Sequence, residues 1–234
     1  MKRGPGSLYR SLKSLEYLAT RDRRAALELA LARDLHGVSV SARLGLVRRF
    51  LRATNAVRGY HTLTEMLRIA RAILARAGRS PVVLEAGCGY GASTAKLSLA
   101  ARLAGGSLIA CDSFKGIPEN DERHELLDGR TTEFRPGAFH GRLASVRRTV
   151  ETWGAIEVCR FEKGWFQDVL PRVEGPLDVV VLDVDLAQST RTCVRELWPR
   201  LRSDGVLFSL DGQLRATHEL LADARFWREE VGSE

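Results

Sequence analysis

Nine consecutive residues, Glu85-Ala86-Gly87-Cys88-Gly89-Tyr90-Gly91-Ala92-Ser93, carry the densest chemical signal in this 234-residue chain. They join a short apolar run to a helical stretch, the place where an open α/β sheet binds ligands. Glycines there permit a tight turn and let a ligand approach the backbone without meeting a Cβ. Two guests compete for the turn. Gly87-x-Gly89-x-x-Ala92 matches the dinucleotide pattern, with Asp112 about where a ribose acid should sit. Glu85 and the third glycine, Gly91, suit a different ligand. A strand-end carboxylate is unfavourable beside two phosphates; it favours a cationic ligand with an amino group, such as S-adenosylmethionine (SAM). Ser93 opens the helix, and Asp112 can accept two ribose hydroxyls in either case. A purely structural turn is the third alternative.

A second constellation lies further along, in Leu182-Asp183-Val184-Asp185-Leu186 and Leu210-Asp211-Gly212. Both stretches follow apolar runs, and neighbouring strands lie about 4.8 Å apart. If the two strands are adjacent, Asp183 and Asp211 converge beside the glycine turn. Such carboxylates could hold a hard divalent cation such as Mg²⁺, which prefers oxygen ligands. The metal would lower the pKa of a substrate hydroxyl. Alternatively one aspartate, Asp183 first among them, acts as a general base. Either acid could instead merely cap a loop or helix. His61, His124, His140 and His218 could each serve as a base, although scattered histidines are more often surface or core fillers; His140, in a polar insert, is the first candidate.

These groups need elements to position them. Residues 1–78 read as helices, with Leu27, Leu31 and Leu35, then Leu44, Val47, Phe50 and Leu51, at helical spacing. Thr62 and Glu65 form a capping box ahead of a third helix. The periodicity then changes. Short apolar runs at 81–86, 107–111, 156–161, 178–183 and 205–210 alternate with helical stretches at 92–104, 142–152, about 189–202 and 216–230. Continuous apolar runs are expected of strands covered on both faces. The alternation predicts a doubly wound, mostly parallel, Rossmann-like α/β sheet. We divide the chain into a helical segment, 1–78, serving substrate or dimer contacts, and a cofactor domain, 79–234. Residues 113–141 are long for a connection and suit a substrate lid. Trp165 sits in a loop where an adenine could stack, or where it could equally pack in the core.

Composition narrows the function class. The 44% hydrophobic content argues against disorder, and no apolar run approaches the roughly 18–20 residues that span a bilayer. No secretory signal is legible at the start, and Cys88, Cys111, Cys159 and Cys193 lack ligand-like spacing, so reduced thiols and a cytoplasmic setting are expected. Net charge is +7, concentrated at the front: residues 1–60 hold 13 Lys/Arg against 4 Asp/Glu, and the remainder 23 against 25. Such a face could attract an acidic partner. Only 5 of the 36 basic residues are lysine, and no aromatics interleave with the arginines, which favours solvated helices over a nucleic-acid surface.

The motifs resemble those of the macrocin O-methyltransferase (TylF-type) family. Beyond Glu85-Ala86-Gly87, the similar stretches are Asp112-Ser113-Phe114-Lys115-Gly116-Ile117-Pro118, Lys163-Gly164-Trp165-Phe166 onward to Pro171, Leu182-Asp183-Val184-Asp185-Leu186 with Ser189-Thr190, and Leu197-Trp198-Pro199 leading to Gly205. They span about residues 58–230 in order. The resemblance implies a SAM-dependent, Mg²⁺-assisted O-methyltransferase acting on a small-molecule hydroxyl, often a sugar of a natural product. It implies SAM contacts at Glu85, Gly87, Gly89, Gly91, Ser93 and Asp112, with Ser113 and Trp165 beside them. It also implies metal ligands at Asp183 and Asp211. Two departures stand out. Gly212 replaces a family aspartate, and Ala187 a family tyrosine. Asp185 is the candidate replacement carboxylate, although strand alternation puts Val184 on the opposite face between it and Asp183. Shortly after Glu230 the family's closing strand pair is missing, which leaves the fifth strand an open edge. A partner subunit, a domain swap or a shortened chain would cover it, and a homo-oligomer is expected. The alternatives are a SAM-binding fold without catalysis and a nucleic-acid methyltransferase.

Overall fold

The computed structural model describes residues 21–233. Three helices come first: α1 (Arg21–Leu31), α2 (Val40–Ala56) and α3 (Leu63–Leu74). The α/β part then runs β1 (Val82–Ala86), α4 (Ala92–Leu103), β2 (Ser107–Asp112), α5 (Leu143–Trp153) and β3 (Cys159–Lys163). It continues with the single turn α6 (Phe166–Val169), β4 (Leu177–Leu182), α7 (Ala187–Leu197), β5 (Leu201–Ser209) and α8 (Arg215–Ala222). The five strands are all parallel in the order β3-β2-β1-β4-β5. Chain direction across the sheet therefore reverses between β1 and β4. Such a switch point opens a crevice at the carboxyl ends of the strands. Among the described residues β5 pairs on one side only.

Residues 179–182 of β4 are wholly buried, as the apolar runs require of strands covered on both faces. Val83 and Val181 face a cluster with Phe50, Met66, Ile73 and Leu97, so the N-terminal helices and the sheet share one core. Leu84, Val180 and Leu182 face the other layer with Val194 and Leu197. Polar ties fix the helical segment as well. The buried Asp22 carboxylate accepts from the Thr64 amide and hydroxyl at 3.0 and 2.7 Å. The buried Arg43 guanidinium donates to the carbonyls of Leu29 and Ala32 at the end of α1.

Several local expectations are met and several are displaced. Thr62 and Glu65 form the reciprocal capping box. Leu27 and Leu31, however, are 58% and 66% exposed, and α1 contacts the core through Ala25, Leu29 and Ala30 instead. The helix expected to begin near Ser189 begins at Ala187. Its first amides, those of Ala187 and Gln188, both donate to the Glu122 carboxylate at 2.8 Å. A cap supplied from 65 residues away leaves no local signature. The last helix breaks at Asp223, whose carboxylate accepts from the Arg225 amide, before a wider turn over Phe226–Val231.

A shared core predicts a single cooperative transition. Phe50→Ala, removing a wholly buried ring, should cost about 3–5 kcal/mol. Circular dichroism of the whole fold and fluorescence from the C-terminal tryptophans should report the same midpoint. Two separate transitions would contradict the shared core.

Candidate functional site

One cavity of about 950 Å³ opens over the switch point. Its walls come from the α2–α3 connection, the glycine turn, the carboxyl ends of β2, β4 and β5, and the 113–141 insert. That volume lies at the upper end for small-molecule sites.

The glycine turn is held by its own backbone. Gly87 donates to the Cys111 carbonyl at 2.9 Å, and Gly91 to that of Cys88 at 2.7 Å. The glycines have different reasons to be glycine. At Gly87, φ is +91° and a Cβ would collide with the Asp183 carbonyl oxygen. At Gly89, φ is +47° and a Cβ would meet nothing within 4 Å, so this position borders the open cavity. Gly91 caps α4 and faces Val146 and Thr149, and it does not line the cavity. Ser93, buried in the first turn of α4, does.

Asp112 ends β2 and clamps two turns. Its Oδ2 accepts from the Cys88 amide and its Oδ1 from the Phe114 amide, both at 2.6 Å. Burial still pushes its pKa upward, against those donors. Each oxygen keeps a further lone pair, and the side chain lines the cavity. Ser113 and Trp165 line it too, the indole facing the Lys115 ammonium at 5.8 Å.

Glu85 lies deeper than the cavity wall. Its side chain turns into the layer between β1 and α4, is 0% exposed and does not reach the cavity wall. Neither carboxylate oxygen makes a hydrogen bond of normal geometry. Burial drives its pKa up to about 7, tempered by the hydroxyls of Ser93 and Thr94. The nearby Lys96 is also buried, and burial lowers its pKa to about 8 against the attraction of Glu85. Lys96 lines the cavity where Glu85 does not.

Across the cavity the structure gathers Asp183, Asp185 and Asp211, each offering an oxygen within 4.8 Å of the others. β4 stops at Leu182, so strand alternation no longer governs. Asp185 adopts φ +62° and swings its carboxylate back towards the other two. Asp211 Oδ2 accepts the amides of Val184 and Asp185 at 2.8 and 3.1 Å. Burial first, then the charges of Asp211 and Asp183, raise Asp185 to about 8. Burial and Asp183 raise Asp211 to about 6.

The structure separates the two histidines. His140 is exposed and lies outside the cavity lining, because the insert turns Phe139 inward at that point. His61, for which base and filler were both open, sits with Nε2 2.7 Å from Asp183 Oδ2. Burial alone would lower the imidazole pKa; the hydrogen bond and charge of Asp183 outweigh it and raise it. No local signal marks His61. Its role arises because the connection before α3 crosses the carboxyl edge of the sheet.

A parallel sheet with a glycine turn at its switch point and an acid ending the next strand defines an α/β fold that binds nucleoside-type cofactors. Within that class the chain belongs to the methyltransferase-domain family, whose model matches residues 84–211. It is 35% identical over 120 residues to the 8-demethyl-8-(2,3-dimethoxy-alpha-L-rhamnosyl)-tetracenomycin-C 4'-O-methyltransferase of Streptomyces olivaceus. That match covers 49% of this chain and 45% of the relative, so it spans about half the relative's length. The crystal structure of CalS11, a calicheamicin methyltransferase, superposes with a TM-score of 0.58 at 14% identity. The superposition covers 99% of this chain and 87% of that one, and it is a likeness of fold. Among the described residues no helix is long and apolar enough to cross a membrane.

Two outcomes follow from this geometry. Asp185 keeps a proton in the folded state from its ordinary range near 3.8 up to about 8, so stability is lost as pH rises through that window. Asp185→Asn should therefore raise Tm at pH 8 by several degrees, and the gain should vanish below about pH 4. Equal melting temperatures at pH 8 would show that the three carboxylates do not repel. Gly87→Ala should fail to fold, whereas Gly89→Ala should fold and lose cofactor binding, as circular dichroism and calorimetry would record.

Proposed function

We propose that this protein transfers the methyl group of SAM to a sugar hydroxyl of a natural product. The observation that carries this reading is the shared cavity. The glycine turn with Asp112 forms one wall, and Asp183 with His61 forms the opposite wall. The Streptomyces relative, by its name a 4'-O-methyltransferase of a rhamnosyl-tetracenomycin, supports the same class of acceptor.

In this reading Gly89 lets the cofactor approach the backbone, and Asp112 accepts the ribose hydroxyls. Trp165 and Phe166 flank the adenine end. Lys96 supplies the positive charge that a methionine carboxylate needs at the buried end of the turn. The acceptor oxygen attacks the methyl carbon in line, and the carbon–sulfur electron pair returns to sulfur, giving S-adenosylhomocysteine. The hydroxyl proton passes to the Asp183 carboxylate, whose Oδ2 is held by His61 Nε2. Fixing the base in this way converts binding into orientation, which is worth several orders of magnitude in such reactions.

The donor set also fits a hard divalent cation. Asp183, Asp185 and Asp211 offer oxygens at mutual distances an octahedral ion tolerates, and their repulsion is offset only in part, by the Val184 and Asp185 amides on Asp211 and by His61 on Asp183. Mg²⁺ bound there would supply Lewis acidity to the acceptor hydroxyl. Gly212, in place of a further acid, leaves Asp185 as the third ligand.

Calorimetry with SAM and S-adenosylhomocysteine tests the cofactor half. Asp112→Ala should weaken binding at least tenfold, about 1.4 kcal/mol. Asp183→Asn should leave that affinity intact and lower turnover of a rhamnoside acceptor by about 10²-fold or more. Unchanged affinity in the first variant would refute the cofactor assignment. Millimolar Mg²⁺ should raise Tm in the native protein and not in Asp211→Asn.

A further inference from the structure

The 113–141 insert has the length of a lid, but its bonds are those of a fixed roof. At its base the Ile117 amide donates to the Ala138 carbonyl at 3.0 Å, and the Gly137 amide to the Ile117 carbonyl at 2.8 Å. His124 ties the middle together: its Nδ1 accepts from the Phe134 amide at 3.0 Å, which leaves Nε2–H to donate to Asn120 Oδ1 at 2.9 Å. Further out, the Leu127 amide donates to the Gln213 carbonyl at 2.9 Å and the Arg215 amide to the Glu125 carbonyl at 2.8 Å. The Arg215 guanidinium holds the Glu125 carboxylate at 3.0 Å, and Glu122 adds its two bonds to α7. Opening the insert would break these outer bonds together.

The connection between α2 and α3 is built the opposite way. Its two ends are firm. α2 closes with the Val57 amide on the Ala53 carbonyl at 2.9 Å, and α3 opens with the Thr62–Glu65 capping box. Between them, among the described residues, the main chain of residues 58–61 forms no backbone–backbone hydrogen bond. Arg58, Gly59 and Tyr60 are exposed, and Arg58 has no carboxylate partner among the described residues. A short segment with few bonds between two anchored helix ends is the kind of element that opens locally while the rest of the fold stays shut.

Yet these four consecutive residues each touch a different wall of the cavity. Arg58 lies over Tyr90 of the glycine turn at 5.5 Å, and over its own neighbour Tyr60 at 5.4 Å. Gly59 passes the head of α4, where a Cβ would come within 2.9 Å of the Ala92 Cβ; carbon atoms pack best at about 3.5–4.0 Å. Its φ lies outside the left-handed region, so space and not backbone geometry requires the glycine. Tyr60 meets Phe139 of the insert edge to face, with centroids 5.0 Å apart. His61 reaches Asp183 Oδ2 at 2.7 Å. The first three contacts are weak ones made by exposed groups. Seating the segment on the glycine turn and bringing His61 to Asp183 are therefore one movement.

Resting on the methyltransferase reading above, we propose that residues 58–61 are the moving strap of this site, and that Gly59 and Tyr60 are positioning residues that seat His61 on Asp183. The strap lifts to admit or release the cofactor while the insert stays in place. The His61–Asp183 pair is assembled only when the strap is down, so the proton acceptor is held in position only over an enclosed site.

The test uses the full chain and two readouts. The first is the release rate of tritiated S-adenosylhomocysteine into excess unlabelled ligand. The second is the rate at which diethylpyrocarbonate modifies His61, mapped by mass spectrometry with the exposed His140 as internal reference. Gly59→Ala, which lifts the strap from Ala92, should raise both rates about tenfold or more. Adding Ala92→Gly removes the clash and should restore both. Tyr60→Leu should also raise both rates, whereas Tyr60→Phe, which keeps the aromatic edge, should match the native protein. Arg215→Ala frees one pin of the insert and should leave both rates as they were. Native rates in Gly59→Ala, no rescue by Ala92→Gly, or release from Arg215→Ala as fast as from Tyr60→Leu would each overturn the proposal. Failure of the native chain to bind S-adenosylhomocysteine would defeat the methyltransferase reading, while the His61 reactivities would still decide whether Gly59 and Tyr60 seat that side chain.

Discussion

A side chain at position 87 would be driven into the carbonyl oxygen of Asp183. Close by, the Asp183 amide donates to the Ala86 carbonyl at 2.9 Å. The end of β1 and the end of β4 are therefore pressed together with no side chain between them. Everything on either side of the cavity takes its position from that contact. The turn that follows Gly87 forms one wall. The carboxylate on Asp183 starts the other. In the proposed reaction, a loosened contact would change the span between donor sulfur and acceptor oxygen, and such transfer tolerates little error in that span.

Around this rigid junction the protein accumulates unfavourable electrostatics. Glu85 is buried without a hydrogen-bond partner, Lys96 is buried beside it, and three aspartates share a few ångströms. Each arrangement costs stability in the ligand-free chain. Such strain concentrates at functional sites, where a ligand relieves it. The apolar remainder supplies the compensation: β4 is buried throughout and the core runs unbroken from Phe50 to Leu99.

The strands, their parallel order and the glycine turn were legible because they depend on local composition. Apolar runs between turns read as buried strands, and Asp112, Asp183 and Asp211 were marked by the strands they end. What was hidden depends on distant partners or on single dihedral angles. His61 has no flanking pattern and matters only because its loop crosses the sheet edge. Asp185 joins the cluster through one positive φ angle, which overrides alternation. That the Glu85 carboxylate follows the pleat of β1 into the interior was not legible either. The α1 leucines misled because their spacing marks a face without saying whether the core or the solvent lies against it.

The Glu122 carboxylate that receives the first amides of α7 belongs to the insert roofing the cavity. The helix thus borrows its start from the roof. Any displacement of the insert would strip two amides of their acceptor, so the position of the roof and the start of α7 are set together. Insertions or deletions that retune the roof for another guest must keep a carboxylate at this hinge point. The shape of the roof and the integrity of the sheet's outer layer thus rest on one side chain.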